Sequence, residues 1–224
     1  NADLTIVCTP VDTIAEFVRQ IGAASRSDAL ITDAGSTKEA IVSTVEGQLA
    51  NQKGVPRFVG SHPLAGDHRT GVEVARADLL VNRKVIVTPT ASSEPGAVAS
   101  ISEFWRSVGA EVLTMSPAAH DSALAATSHL PHLVAFALAA STPHDLLPLA
   151  ASGWRDTTRI AGGDSAMWRP IFTTNREHIL AALDRFEGLV RELRSALAAG
   201  DERRLLEIIE QAREIKSKRD ALGD

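Results

Sequence analysis

Short apolar runs alternate with amphipathic stretches through the first half of the chain, and the second half carries helical spacing alone. Residues 4–8, 29–32, 58–60, 84–88 and 111–113 are compact apolar or β-branched runs, while 13–21, 38–49 and 96–108 repeat apolar positions at helical intervals. Strands that alternate with helices predict a parallel sheet covered on both faces. Its strand ends fall at Thr9-Pro10, Asp33-Ala34-Gly35 and Gly60-Ser61-His62. In such sheets ligands bind outside the carboxyl ends of the strands, so these three ends are candidate ligand positions.

The character changes after Met115, which divides the chain into an α/β segment, 1–115, and an all-helical segment, 116–224. Ser116-Pro117 is a helix start, with serine as N-cap and proline in the first turn. Residues 118–140 are rich in Ala and Leu and nearly uncharged, which predicts a helix buried in a core or an oligomer interface and kinked at Pro131. Two long helical patterns follow, 176–198 and 201–222, split at Gly200, with Asp201 placed to cap the second. Leu205, Leu206, Ile208, Ile209, Ala212, Ile215 and Leu222 form one stripe, which a second subunit would cover, so a homodimer through the helical segment is expected.

Composition narrows the classes. A formal charge of -5 and the lack of a basic stripe argue against nucleic acid as a partner. Cys8 is the single cysteine, so no intrachain disulfide or cysteine zinc cluster can form, and a reducing cytoplasm fits. At the end of an apolar run, Cys8 reads as a small buried strand residue and not as a nucleophile. No apolar run approaches the roughly 18 to 20 residues of a membrane helix, and the first residues lack a signal-peptide pattern.

The candidate chemistry is that of an acidic, hydroxylated small molecule. His62, followed by proline and small residues, suits a general base, against the alternative of a satisfied loop histidine. Ser36 could hydrogen-bond His62 or touch a substrate alcohol, or it could cap the helix beginning at Thr37. His129 and His132 share a helix face; His132 is the substrate-contact candidate and His129 the structural one, and no metal is expected because no further ligand cluster accompanies them. Arg159 could clamp a carboxylate through its planar fork, or pair with Asp156. Lys38, His68, Arg69 and Trp168 are second-rank candidates, since Lys38 and Arg69 could as easily be solvated surface charges and Trp168 a core anchor, while His120, His144 and His178 carry no signal beyond composition.

Taken in order, Thr9-Pro10-Val11, Asp33-Ala34-Gly35-Ser36-Thr37-Lys38, Gly60-Ser61-His62-Pro63-Leu64-Ala65-Gly66, Ser128-His129-Leu130-Pro131-His132, Thr158-Arg159-Ile160-Ala161 and Met167-Trp168-Arg169 resemble the prephenate/arogenate dehydrogenase family of tyrosine biosynthesis. The resemblance implies a partial Rossmann-like parallel sheet followed by an all-α helical dimerisation domain. It also implies NAD or NADP as cofactor, with oxidative decarboxylation of prephenate or arogenate. By the same resemblance His62 is the base with Ser36 its helper, His132, Arg159 and Trp168 meet the substrate, and Thr9, Pro10 and Gly35 line the nicotinamide side of the cofactor. Asp67, Asp156 and Asp164 are candidates to favour arogenate, whose ammonium an acidic residue would meet.

The family's G-x-G-x-x-G turn does not occur in these residues, so poor cofactor affinity and feeble turnover are expected of the 224 residues alone. Two rival readings remain at this stage. One is a dehydrogenase acting on a β-hydroxy acid, which would use a lysine base, and the other a non-catalytic dimerisation or regulatory fragment.

Overall fold

Three short parallel strands begin the chain: β1 (Leu4–Val7), β2 (Leu30–Asp33) and β3 (Arg57–Phe58), with β2 in the middle. The helices α1 (Ile14–Ala24) and α2 (Glu39–Leu49) connect them. These facts come from a computed structural model that describes residues 2–49, 57–66 and 71–221. Asp67, His68, Arg69 and Leu222 lie outside the described residues.

The expected strand at 58–60 is instead two strands, because β3 leads through Val59 into β4 (Gly60–Pro63), which pairs antiparallel with β5 (Lys84–Thr88). β5 then pairs parallel with β6 (Glu111–Thr114) across the helix α3 (Pro95–Ser107). His62 therefore lies within a strand and not just beyond one. Its neighbour Ser61 is held by buried hydrogen bonds: the Ser61 Oγ donates to the Asp33 carbonyl at 2.6 Å and accepts from the Trp105 indole at 3.0 Å.

Alternation along the strands divides the core in two. Leu4, Ile6 and Leu30 reach a cluster centred on Val85, Ile101 and Trp105, while Val7 and Ile31 reach one built on Ile14, Val18, Ile41 and Val45. Each such side chain contributes about 1.5–3 kcal/mol on full burial. The second cluster also takes in Trp168 and Ile171, so the strands and the later helices share apolar packing.

The helical part opens with α4 (Pro117–Leu124), capped as expected by the Ser116 hydroxyl, which accepts from the Ala119 N–H at 3.2 Å. A π turn, Ala125–His129, passes directly into α5 (Leu130–Ser141). The expected kink at Pro131 thus takes the form of one widened turn just ahead of it. Then come α6 (Ser152–Thr158), a 3-10 turn at Arg159–Gly162, α7 (Ser165–Thr174) capped by Asp164, α8 (Arg176–Ala199) and α9 (Glu202–Asp220).

Within this chain the α5 part of the apolar helix is mostly uncovered, which departs from the core alternative of the expectation. In α5 only Ala135 is buried, because the residues before it turn His120, Asp121 and His129 inward while the apolar faces of α5 exceed what this chain covers. By length and composition alone, Pro117–Ser141 would suffice to cross a membrane, which also departs from the expectation of no such run.

The chain divides into two compact units, Asn1–Ile179 and Leu180–Asp224. In the second, Gly200 takes a positive φ of 65° at the helix junction and Asp201 caps α9 by accepting from the Arg204 N–H at 2.9 Å. Ile208 is buried there, but Leu206, Ile209 and Ile215 are more than half exposed, at 58%, 51% and 62%. The stripe is therefore largely uncovered within this unit.

Candidate active site

Within the first unit, a cavity of about 700 Å³ brings together Ser36, His62, His132, Arg159 and Trp168. They arrive from five places: the turn before α2, strand β4, α5, the 3-10 turn after α6, and α7. The volume suits a small-molecule site. His129 and Met167 complete the polar and apolar lining, with Leu64, Ala65 and Gly66 forming a small-residue rim beside His62.

His62 is the most constrained member. Its Nδ1 lies 2.8 Å from His120 Nε2, and His120 Nδ1 lies 2.7 Å from an Asp121 carboxylate oxygen. Burial, reinforced by the neighbouring His120, Lys38 and His129, holds the His62 pKa well below the ordinary histidine value, so the ring is a neutral base near pH 7. No hydrogen bond joins Ser36 to His62 among the described residues. The expected partnership is replaced by His120, whose position one turn into α4 carries it against β4.

Asp121 also takes the capping role considered for Ser36. Its carboxylate accepts from the backbone N–H of Lys38 at 2.7 Å and of Glu39 at 2.9 Å, satisfying the first donors of α2 from across the fold. Ser36 remains at the cavity edge.

Lys38 is fully buried, not a solvated charge, and forms an ion pair with the equally buried Asp33. Asp33 accepts in addition from the N–H groups of Gly35 at 2.9 Å and Ser61 at 3.1 Å. One carboxylate thereby ties the end of β2 to β4. At Gly35 a Cβ would come within 2.6 Å of Ile14 Cδ1 and 2.9 Å of Asp33 Oδ2, so any side chain here would have to displace both neighbours.

His132 and Trp168 act as a pair, their rings stacked with centroids 3.7 Å apart. The Ser128 carbonyl, four residues before His132, accepts from His132 Nδ1 at 3.0 Å, which leaves Nε2 as the other nitrogen of that ring. Burial, with Arg159 nearby, lowers the His132 pKa. Trp168 is 6% exposed, so it both anchors the core and walls the cavity. His129 accepts from Asn175 Nδ2 at 2.9 Å, and burial pushes its pKa down to about 4.

Arg159 is exposed and makes no ion pair among the described residues, with Asp156 or any other acid, so its donors are uncommitted where it borders the cavity. Asp156 and Asp164 are not among the residues lining it.

Thr9, Pro10 and Gly35 lie just past the ends of β1 and β2, where Thr13 Oγ1 bonds Thr9 Oγ1 at 3.0 Å. The edge suits a nicotinamide ring: it is built of small residues at the carboxyl ends of parallel strands, and Ser36 adjoins both it and the cavity. Cys8, expected to be buried, is exposed because β1 ends at Val7. Partial burial and the Asp33 carboxylate push its thiol up, which disfavours the thiolate.

Residues 1–114 match the profile of the prephenate dehydrogenase nucleotide-binding domain, and residues 116–211 that of the prephenate dehydrogenase dimerization domain. The chain belongs to the prephenate dehydrogenase family. Members of this family are oxidoreductases, and the first of the two matched regions is the family's nucleotide-binding domain. The cyclohexadienyl dehydrogenase of Zymomonas mobilis is 33% identical over 96% of this chain and 75% of its own length. The prephenate dehydrogenase of Bacillus subtilis is 36% identical over 86% of this chain, which spans about half, 52%, of that protein. Among solved structures, A. aeolicus prephenate dehydrogenase in complex with hydroxyphenyl propionate and NAD+ superposes with a TM-score of 0.86 at 36% identity, covering 98% of this chain and 76% of that one. Synechocystis arogenate dehydrogenase gives 0.82 at 27% identity, covering 97% and 79%.

The members of the site that the motifs did not indicate are His120, Asp121 and Asn175. A signal existed for two of them: His120-Asp121 is an adjacent polar pair in an otherwise nearly uncharged helix, where a buried polar group needs a partner.

Proposed function

We propose that this protein catalyses the NAD(P)-dependent oxidative decarboxylation of prephenate or arogenate, giving 4-hydroxyphenylpyruvate or tyrosine, with His62 as the base. The observation that carries the reading is the convergence of His62, Ser36, His132, Arg159 and Trp168 on one cavity of substrate size. Thr9, Pro10 and Gly35 hold the nicotinamide side of the cofactor. The apolar surface left open on α5 and α9 supports a homodimer formed through the helical region.

Bound NAD or NADP supplies the hydride acceptor. His62 Nε2 takes the proton of the ring hydroxyl as hydride departs from the same carbon. The ring carboxylate then leaves as carbon dioxide, its electron pair completing the aromatic ring. Ser36, at the cavity edge, orients the hydroxyl. Arg159 pairs with a substrate carboxylate through uncommitted donors, and the His132–Trp168 stack forms the wall that fixes the ring plane. Alignment and charge complementarity are what this reaction asks of the protein, because aromatisation drives the loss of carbon dioxide.

Steady-state kinetics with each substrate and cofactor pair test the proposal. His62→Asn should lower kcat by about 10²–10⁴-fold, the usual worth of a positioned base, with KM little changed. Arg159→Met should act mainly on KM, raising it by about 10–100-fold as a charged hydrogen-bond partner is lost. Wild-type kcat in His62→Asn would overturn the assignment of the base.

A further inference from the structure

Asp121 is an acceptor only, because its carboxylate already receives the N–H groups of Lys38 and Glu39 at the start of α2. His120 Nδ1, 2.7 Å away, must therefore donate to it. With an uncharged ring, His120 then carries its lone pair on Nε2, and His62 Nδ1, at 2.8 Å, must be the donor across that contact. Given an uncharged His120, the direction of each proton in this chain follows from two backbone amides, which cannot reverse.

We infer that His120, oriented by Asp121, is a positioning residue that locks His62 in its Nδ1–H tautomer and so leaves the Nε2 lone pair for the substrate. This rests on the proposal that His62 is the base. A free imidazole prefers the opposite tautomer, which would present an N–H where a base needs a lone pair. The contact cannot relax by solvent exchange, since His120 and Asp121 are both completely buried. The groups facing His62 are His120 from α4, with Asp121 behind it, Lys38 from the turn before α2, and His129 from the π turn. Lys38 is engaged by Asp33, and His129 by Asn175. Neither competes for His62 Nδ1. When Nε2 accepts the substrate proton, the resulting cation is stabilised by the hydrogen-bonded path to the Asp121 carboxylate, the same arrangement by which a third group serves a catalytic histidine in hydrolase triads.

The test combines a tautomer measurement with kinetics. In protein labelled with ¹⁵N-histidine, the His62 Nε2 resonance of the wild type should lie in the unprotonated range and Nδ1 in the protonated range at neutral pH. His120→Phe removes the acceptor. It should shift His62 toward the Nε2–H form and lower kcat by about 10²–10⁴-fold, with KM within a few-fold. His120→Gln restores an acceptor for His62 and a donor for Asp121, so it should keep the wild-type tautomer and recover at least about 10-fold in kcat over His120→Phe.

A wild-type spectrum with the proton on Nε2 would overturn the inference. So would a His120→Phe protein with both tautomer and kcat unchanged. Should His120→Phe fail to fold, the wild-type spectrum and His120→Gln decide the matter. The two readings fail differently: turnover that survives His62→Asn removes the base, whereas loss of turnover there beside an indifferent His120→Phe removes only the positioning role.

Discussion

Replacing Lys38 by methionine isolates what a buried ion pair does in this fold. Both partners are wholly inaccessible, and burial lowers the Lys38 pKa even against the pull of Asp33 and Asp121, so desolvation outweighs the attraction as far as the ammonium is concerned. The pair as a whole adds little net stability. Half of it is another matter, because Lys38→Met leaves the Asp33 carboxylate buried with only the Gly35 and Ser61 N–H groups, at 2.9 and 3.1 Å. Removing one partner of such a pair costs about 3–5 kcal/mol, and the two remaining donors place the expectation near the lower end. For a chain of this length that corresponds to a fall of roughly 6–20 °C in Tm. Thermal unfolding followed by far-UV circular dichroism measures it, with Arg57→Met as the comparison. Arg57 pairs with Glu94 at 3.0 Å on the surface, where side chains are 36% and 53% exposed, and its loss should cost no more than about 1 kcal/mol. If Lys38→Met loses no more than Arg57→Met, the argument from burial is wrong.

Acid should weaken the fold as the buried His129 is forced to take up a proton. His129 has a folded pKa of about 4 against an ordinary 6.5, so its contribution is complete above pH 6.5 and is lost as pH falls through 4, reaching roughly 3 kcal/mol. Urea midpoints measured between pH 7.5 and 4 should fall accordingly, and the stability gap between wild type and His129→Gln should narrow; a constant gap would contradict the burial argument. Gly163→Ala would place a Cβ 2.5 Å from the Trp168 indole nitrogen, a rigid neighbour, and displace the ring from its stack on His132. A loss of about 1–3 kcal/mol with a raised KM for the substrate is expected, and unchanged values of both would show that the Trp168 wall tolerates movement.

Much of this architecture was legible along the chain. Strand and helix order followed from periods of two and 3.6, and the caps at Ser116 and Asp201 followed from the preference of short oxygen-bearing side chains for free amides. His62, His132 and Arg159 stood out because each sits in a short run with proline, glycine or threonine that sets the backbone locally. The antiparallel pairing of β4 with β5 did not stand out, since a strand of four residues carries no mark of its partner's direction. Nor did the burial of Lys38, which looks like any helix-start lysine until Asp33 is folded over it. The role of His120 is not legible locally for the same reason: its meaning comes from a contact with a residue 58 positions away.

Local chemistry along the chain determined which segments form helices and strands and which side chains could take part in acid–base work. Tertiary structure alone decided which nitrogen of His62 carries the proton, because that depends on a carboxylate and two amides drawn from α4 and α2. A sequence encodes propensities over a few residues, whereas hydrogen-bond direction and desolvation are properties of groups brought together from distant positions.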